Sequence, residues 1–596
     1  MAEYHAPVDD FRFVLHQVLD IDGLLASLPG CAEFTPDLVD AVLEEAARLC
    51  NTVLAPLNKL GDQRECRFDA ASGAVTSPPG FADAYHAWVE GGWSGLNAPP
   101  EYGGQGVPDV VGAAVKEMVD AANLAWGTYP LLSHGATDAL RQHGEEWQRD
   151  AFLKPIVEGR WTGTMCLTEP HCGTDLGLLR TRAEAADDGS YRITGDKIFI
   201  TAGEHDMAEN IVHLVLARLP DAPAGSKGIS LFVVPKFKVA RDGTMGERNG
   251  VTCTAIEHKM GLKGSATCAM HFENAEGWLV GAPNKGLAGM FTMMNSARLA
   301  VGIQGLGMIE RGYQASLAYA RERLQMRSVS GPKFPELPAD PLIVHGDIRR
   351  MLLTQKAFAE GGRVLALHAA SLIDIEHRAA DADARAAAEA ELSFLIPIVK
   401  GLLTEAAVES TYHAVQIFGG HGYIGENEVE QFARDARITT IYEGTTQIQA
   451  LDLLGRKVLQ LKGVGLKRFL ERISGFCQQH ADDAELAEFV APLASVAHEW
   501  SELTQELAQK IADNPEELAA AAWDYLFYSG YIALAWSWAR SVAAPDAGNG
   551  GKRKQAKRDT ARFYFSRILP RTRAHAMALR AGADSLMAMP AENFDL

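Results

Sequence analysis

Residues 191–237 read YRITGDKIFITAGEHDMAENIVHLVLARLPDAPAGSKGISLFVVPKF, and this stretch decides the fold class. Short apolar runs alternate in it with charged and glycine-rich turns, a pattern that is typical of β-strands joined by short connections. The run CAMHFENAEGWLVG (268–281) continues the same texture. The close spacing of these strands predicts a β-barrel or a β-sandwich between about residues 161 and 286.

Apolar residues at helical spacing replace this pattern on both sides. Before residue 161, VDAVLEEAARLCNTVLAPLNKLGD (39–62) and DVVGAAVKEMVDAANLA (109–125) are predicted helices, separated by the loop APPEYGGQGVP (98–108). From residue 287 we expect four helical segments, the last beginning near 442–444, and then further helices. The predicted domains are an N-terminal helical domain (1–160), a β domain (161–286), a four-helix bundle (287–455) and a C-terminal helical extension (456–596).

The composition excludes several classes of protein. The formal charge is 56 − 76 = −20, so nucleic-acid phosphates are repelled unless a local basic patch exists. No apolar run approaches the ~20 residues that span a bilayer, and the first residues lack the pattern of a secretory signal. The eight cysteines show no CxxC spacing, which argues against a zinc site and favours reduced thiols in a cytoplasmic protein.

Two segments of the β region contain candidate ligand contacts. MCLTEPHCGTDLG (165–177) reads as a strand ending in a turn. There, Thr168, Thr174 and backbone amides can bind an anionic or polar ligand, or the turn is an ordinary strand-to-loop transition. GDKIFITAG (195–203) reads as a turn followed by a strand, and its Phe199 is either a core residue or a stacking partner for a cofactor.

Two further segments belong to the helical region. In QIFGGHGYIGE (416–426), the glycines either allow a ligand to approach the backbone or end the helix. The context is not strand–turn–helix, so we do not predict a Rossmann fold. RDARITTIYEGTTQIQALDLLG (434–455) places Glu443 between a strand-like run and a helix that begins TTQIQ. This glutamate is either a partner of the helix dipole or a functional carboxylate.

Together these segments resemble the acyl-CoA dehydrogenase family. TEPHCGTD is similar to its TEPxxGSD signature, QIFGGHGY to Q-x-x-GGxG, IYEGTTQIQ to IYEGTxQIQ, and YARERLQMR (319–327) to YAxxRxxFG, in the family order over roughly residues 90–455. The resemblance implies a mainly α fold with a central β-barrel domain: helical domain, β-barrel, four-helix bundle. The chain length and the start APVDDFRFVL (6–15) resemble the long 3-methylmercaptopropionyl-CoA dehydrogenase group, whose members need not share one substrate.

The resemblance also implies a chemistry. Glu443 would remove the α-proton of an acyl-CoA thioester, FAD would take the β-hydrogen as hydride at N5, and a trans-2-enoyl-CoA would leave. Some members carry the base elsewhere, but the equivalent position here is Ala297, which cannot serve. An electron-transferring flavoprotein would then reoxidise the flavin, and a homodimer or higher homo-oligomer is expected.

By motif position, the cofactor-binding residues would be Met165, Leu167, Thr168, Thr174, Phe199, Thr201, Arg323, Gln416, Gly420, Thr445 and Gln447. Of these, Arg323, Gln416 and Gly420 would bind the flavin of a partner subunit. The substrate-binding residues would be Thr174, Asn295, Arg298, Tyr442 and Gly444. The chain departs from the family pattern at Phe199 for Trp, at Thr174 for Ser, and at Met326-Arg327 for Phe-Gly.

Two rival functions stay open. One is an acyl-CoA oxidase that uses dioxygen. The other is a DNA-binding flavoprotein on the same fold, which the segment 552–580 favours with ten Lys and Arg against Asp559 alone. That basic segment is otherwise a solvated helix face or a contact to CoA or FAD phosphates. We expect residues 456–596 to form helices that pack on the dehydrogenase core, because AAAWDYLFYSGYIALAWSWAR (520–540) needs a partner surface. The extension would support subunit assembly without binding nucleic acid.

Overall fold

A computed structural model describes residues 3–545 and 551–595, apart from the side chain of Asn295. The helices are α1 (Val8–Arg12), α2 (Ile21–Ser27), α3 (Pro36–Leu49), α4 (Asn58–Gln63), α5 (Phe81–Glu90), α6 (Asp109–His143), α7 (Glu146–Gln148), α8 (Lys154–Val157), α9 (Gly286–Glu322), α10 (Gly346–Arg378), α11 (Ala382–Phe418), α12 (Val429–Thr439), α13 (Thr446–Leu451), α14 (Val464–Gln479), α15 (Ala487–Asp513), α16 (Glu516–Ala543), α17 (Lys552–Phe563), α18 (Arg571–Ala581) and α19 (Asp584–Met587). The strands are β1 (Arg67–Asp69), β2 (Ala74–Thr76), β3 (Trp161–Cys166), β4 (Arg182–Ala185), β5 (Tyr191–Thr201), β6 (Asn210–Arg218), β7 (Ile229–Pro235), β8 (Phe237–Val239), β9 (Met245–Arg248), β10 (Val251–Ile256) and β11 (Thr267–Val280).

The described chain divides into two compact units. The β unit comprises residues 48–107 and 122–300. The rest of the described chain forms the α unit. None of the described helices has the length and apolar character that crossing a membrane requires.

The β unit contains a closed ring of strands. Strands β11, β5, β4, β6 and β7 pair in that order, and β7 pairs back onto β11. Strand β10 joins the outside of this ring at β11, and β3 joins it at β6. The pairing confirms the predicted β-barrel and decides against a sandwich, because a barrel leaves its ring strands without open edges.

Strand β6 shows why the predicted strands were so uniformly apolar. Its residues alternate between two hydrophobic cores: Leu214 and Leu216 pack with residues of α6 and α9, whereas Val215 and Ala217 face the opposite cluster. Because both faces of this strand are covered, every position is buried except the last.

The α unit is built on the long helices α10 and α11, with the extension packed against them. In α16, the indole of Trp538 donates a hydrogen bond to the carbonyl of Ala357, at 3.1 Å. A Cβ at Gly361 would lie 2.6 Å from that indole, and a Cβ at Gly401 would lie 2.5 Å from Leu526. The glycines of α10 and α11 therefore admit α16 at close range, and the predicted C-terminal helical extension is confirmed.

Three local expectations were wrong. The run RITTI (437–441) was expected to be strand-like, but its first three residues form the end of helix α12. The Thr439 hydroxyl donates to the Ala436 carbonyl, a bond that lets a β-branched threonine fit within a helix. The hairpin β1–β2 lies in the region expected to be helical. The GDK triplet lies inside β5 and forms no turn.

Candidate active site

The predicted base, Glu443, is half-buried on the short loop between α12 and α13. Its backbone has a φ of +56°, and the next residue, Gly444, has a φ of +89°. The left-handed region costs a residue with a side chain roughly 1–2 kcal/mol, whereas glycine adopts it freely. A strained carboxylate residue next to such a glycine is the kind of backbone outlier that clusters at functional sites.

Buried side chains hold this loop from within the α unit. The Lys400 ammonium donates to the Gly444 carbonyl at 2.7 Å, and the Gln449 amide donates to the Glu443 carbonyl at 3.1 Å. The Thr446 hydroxyl donates to Glu405 at 2.6 Å. Contacts from α11 and α13 therefore hold the conformation of the loop that carries Glu443.

Tyr442, predicted to contact substrate, donates its hydroxyl hydrogen to Gln304 Oε1 at 2.5 Å. Burial, together with the carboxylates of Asp120, Glu443 and Asp435, raises the pKa of Tyr442 well above its usual value. The phenol consequently stays neutral and keeps its donor role.

Thr445 and Gln447, two predicted cofactor-binding residues that follow Glu443, have structural partners. The Thr445 hydroxyl caps α13 by accepting from the Ile448 amide at 3.3 Å. The Gln447 amide donates to the Ala519 carbonyl of α16 at 3.3 Å. Their cofactor roles stay predictions, and Gln447 links the loop region to the extension.

The β unit brings five predicted flavin contacts together. The Ile198 amide donates to the Thr168 carbonyl at 2.9 Å, and the Lys197 ammonium donates to the Leu167 carbonyl at 3.0 Å. Met165 lies on β3, and Leu167 and Thr168 follow directly after this strand ends. The two bonds join this segment to β5, which carries Phe199 and Thr201.

The exposure of Phe199 decides whether this residue belongs to the hydrophobic core. Its side chain is 58% exposed and its backbone φ is +58°. Phe199 is therefore not a core residue, and its strained backbone presents an aromatic ring on the surface of the β unit. This leaves the ring available for stacking.

The glutamate of TEPHCGTD supports the turn. Buried Glu169 accepts from the Lys197 ammonium at 2.8 Å and from the Thr181 hydroxyl at 2.6 Å. Burial alone would raise its pKa, but these donors and nearby backbone amides hold the pKa of Glu169 below its usual value. An ionised Glu169 thereby fixes the turn, on which Thr174 is exposed.

The other predicted residues lie on both units. In the β unit, Arg298 and Ala297 are buried on α9, and the side chain of Asn295 lies outside the described residues. In the α unit, Arg323, Gln416 and Gly420 are exposed near the ends of α9 and α11. The rings of Tyr319 and Phe418 stack 4.0 Å apart and join these two helix ends.

Sequence reasoning missed Lys400 and did not single out Gln449. A lone lysine within an apolar helix has no periodic signature. Gln449 is part of the segment IYEGTTQIQ, but the sequence alone does not show that its amide donates to the carbonyl of Glu443.

Four family models match the chain. They are "Acyl-CoA dehydrogenase, N-terminal domain" (39–160), "Acyl-CoA dehydrogenase, middle domain" (164–275), "Acyl-CoA dehydrogenase, C-terminal domain" (284–459) and "Acetyl-CoA dehydrogenase C-terminal like" (469–590). The matches extend through nearly the whole chain, including the extension.

Curated relatives and a solved structure agree with these matches. A 3-methylmercaptopropionyl-CoA dehydrogenase of Ruegeria pomeroyi is 43% identical over 98% of this chain and 99% of its own length. A butyryl-CoA dehydrogenase of Syntrophomonas wolfei is 34% identical over 98% of each chain. An acyl-CoA dehydrogenase of Bacillus anthracis, complexed with FAD, shares the fold with a TM-score of 0.73 at 22% identity, covering 94% of this chain and 90% of that one. The chain belongs to the acyl-CoA dehydrogenase family, whose members are oxidoreductases that act on a CH–CH bond.

Proposed function

We propose that Glu443 is the base with which this acyl-CoA dehydrogenase removes the α-proton of its thioester substrate. The observation that carries the proposal is the strained loop, on which buried donors hold Glu443 and Gly444 in left-handed conformations. A carboxylate held in one orientation avoids the entropic cost of finding the substrate's α-carbon. The proton would move from that carbon to a carboxylate oxygen of Glu443.

The residues of the β unit fit a flavin. The exposed Phe199 offers an aromatic face on β5, the strand that also carries Thr201, and a backbone hydrogen bond joins this strand to Thr168. FAD, when bound, supplies the acceptor for the β-hydrogen. Met165, Leu167, Thr168, Phe199 and Thr201 would hold the ring, and Thr174 would approach both the flavin pyrophosphate and the substrate. Thr445 and Gln447 would face the cofactor from the loop that follows the base.

We infer that the flavin site is shared between subunits of a homo-oligomer. Arg323, Gln416 and Gly420 are exposed near neighbouring helix ends, where an arginine can form charge-assisted hydrogen bonds with a partner's pyrophosphate. Asn295, Arg298, Tyr442 and Gly444 would contact the acyl-CoA. The cell compartment would be the cytoplasm, and the electron acceptor would be an electron-transferring flavoprotein.

The acyl group is best searched for among short chains. The relatives at 43% and 34% identity are named for 3-methylmercaptopropionyl-CoA and butyryl-CoA. We would assay the purified protein with methylthiopropionyl-, butyryl-, octanoyl- and palmitoyl-CoA and an artificial electron acceptor. An oxygen electrode in the same experiment separates a dehydrogenase from the rival oxidase, which would consume dioxygen stoichiometrically.

The base is tested by Glu443→Gln, which keeps the side-chain volume and removes the proton acceptor. We expect the variant to retain its fold and FAD but to lose flavin reduction by the best acyl-CoA of the panel. Stopped-flow flavin bleaching under anaerobic conditions measures this. A variant that reduces its flavin at a near wild-type rate would show that another group is the base.

A further inference from the structure

Helix α11 contains a single lysine, Lys400, and its side chain is fully buried. Its helix neighbours Val399 and Leu403 are also buried. Removing an ammonium from water is costly unless its charge and its donors are used. The Lys400 nitrogen lies 2.7 Å from the carbonyl oxygen of Gly444, so the buried charge is directed at the backbone next to the base.

Gln449 is a second buried donor to the same loop. Its amide nitrogen lies 3.1 Å from the Glu443 carbonyl and 3.5 Å from that of Gly444. Lys400 and Gln449 belong to different helices, α11 and α13. Two elements therefore hold two consecutive carbonyl groups.

Holding those carbonyls fixes the base. A trans peptide points its N–H opposite to its C=O, so the amides of Gly444 and Thr445 point away from Lys400 and Gln449. The same restraint sets the Cα–Cβ direction of Glu443. Without it, a glutamate at φ +56° would relax toward the right-handed regions that side chains prefer.

We propose that Lys400 and Gln449 are positioning residues for Glu443, acting through the loop carbonyls. This inference rests on the proposed role of Glu443 as the base. The two side chains keep the carboxylate at the α-carbon of bound acyl-CoA. If the loss of these contacts displaced the Glu443 carboxylate by about 1 Å, proton removal should slow by up to roughly 10²-fold.

The main test is Lys400→Met, which keeps the length of the side chain and removes the charge and the donors. We would measure FAD content, KM, and anaerobic flavin reduction by butyryl-CoA or the best substrate of the panel. We expect reduction to slow by roughly 10²-fold with little change in KM or FAD. The isotope effect with α-dideuterated substrate should rise, because proton removal then limits the rate more fully.

Lys557→Met is the matched control. Lys557 is also a buried lysine of the α unit, but its ammonium contacts the carboxylates of Asp10 and Glu360. We expect this variant to melt at a lower temperature while its flavin-reduction rate and isotope effect stay at wild-type values. Gln449→Met, which also removes a donor, should slow reduction by roughly tenfold and raise the isotope effect.

The outcomes separate the two hypotheses. If none of the tested acyl-CoAs reduces the flavin of the wild-type protein, or if Glu443→Gln keeps the wild-type rate, the proposed function is wrong. If those controls behave and Lys400→Met reduces its flavin at the wild-type rate, the positioning role is wrong. It is also wrong if rate falls only in proportion to lost FAD, with an unchanged isotope effect. Should Lys400→Met not fold, Gln449→Met decides by the same readouts.

Discussion

At the scale of single residues, Gly444 is tightly constrained by its backbone conformation and by a neighbouring side chain. It has a φ of +89°, and a Cβ there would lie 2.7 Å from the Gln449 amide nitrogen. We expect Gly444→Ala to add roughly 1–2 kcal/mol of backbone strain and to push that amide off the Glu443 carbonyl. Flavin reduction should slow at least tenfold by the same loss of alignment, as stopped-flow spectroscopy would measure.

Gly475→Ala is the control for this substitution. Gly475 is exposed within α14, and no atom outside its own helix turn lies within 4 Å of the position that a Cβ would take. Alanine there should stabilise the helix by up to about 1 kcal/mol and leave the rate unchanged. If Gly444→Ala were as active as Gly475→Ala, the restraint on the loop would be unimportant.

At the scale of elements, three helices meet at the carboxylate of Glu391. Arg472 of α14 donates to both of its oxygens at 2.7 Å, and His368 of α10 lies 3.0 Å from one of them. Burial alone would raise the pKa of Glu391, but His368 and Arg472 lower it from 4.5 to about 2. Glu391 on α11 thus ties the extension to the bundle.

We expect Glu391→Gln to lower the free energy of unfolding at pH 7 by about 1–2 kcal/mol, a modest value because Arg472 is partly solvated. Since the pKa of Glu391 is lower in the folded state, its contribution is fully present above pH 4.5 and is lost as the pH falls toward 2. Urea unfolding at pH 7 and pH 3 should show the gap between wild type and variant shrinking. If the stability difference between wild type and variant widened in acid, this assignment would be wrong. Glu488→Gln is the control, because Glu488 forms an exposed pair with Arg562. It should change the free energy of unfolding by less than about 1 kcal/mol.

At the scale of the whole molecule, cofactor retention should depend on assembly. We expect Arg323→Ala to lose FAD and to dissociate together, because the guanidinium would bind the partner's pyrophosphate. Gel filtration with light scattering and the flavin-to-protein absorbance ratio measures both. Arg321→Ala is the control, because Arg321 lies in the last turn of α9, two residues before Arg323. An Arg323 variant with full FAD content would refute a shared site.

The basic C-terminal segment makes a second prediction at this scale. Several of its charges are paired with carboxylates of the α unit: Lys557 with Asp10 and Glu360, Arg562 with Glu488, Arg571 with Glu409, and Arg580 with Glu499 and Glu506. We therefore expect no tight binding of duplex DNA at low salt, measured by fluorescence anisotropy. Tight binding that weakens steeply with added salt would revive the DNA-binding rival.

Local signals predicted much of this fold, and contacts distant in sequence account for what they did not predict. The run YRITGDKIFIT was correctly predicted to be a strand, and it forms β5. Its alternating pattern and its flanking residues are local properties of the sequence, so they can be recognised without the fold. RITTI contains the same β-branched residues, yet its environment makes it the end of α12. The position of Glu443 followed from a motif, whereas the partnership of Lys400 with Gly444 joins residues 44 apart and has no local trace.

The glycines that admit α16 have a consequence for how this enzyme could have diverged. Gly361 and Gly401 leave shallow notches on the bundle that Trp538 and Leu526 fill. A gene truncated before α16 would display those notches and their apolar surroundings to water, and would yield an aggregating chain. We therefore expect the helix bundle and the C-terminal extension to be retained together. Recombination with a shorter homologue should give a folded protein only if the surfaces of α10 and α11 that contact α16 are exchanged along with the extension.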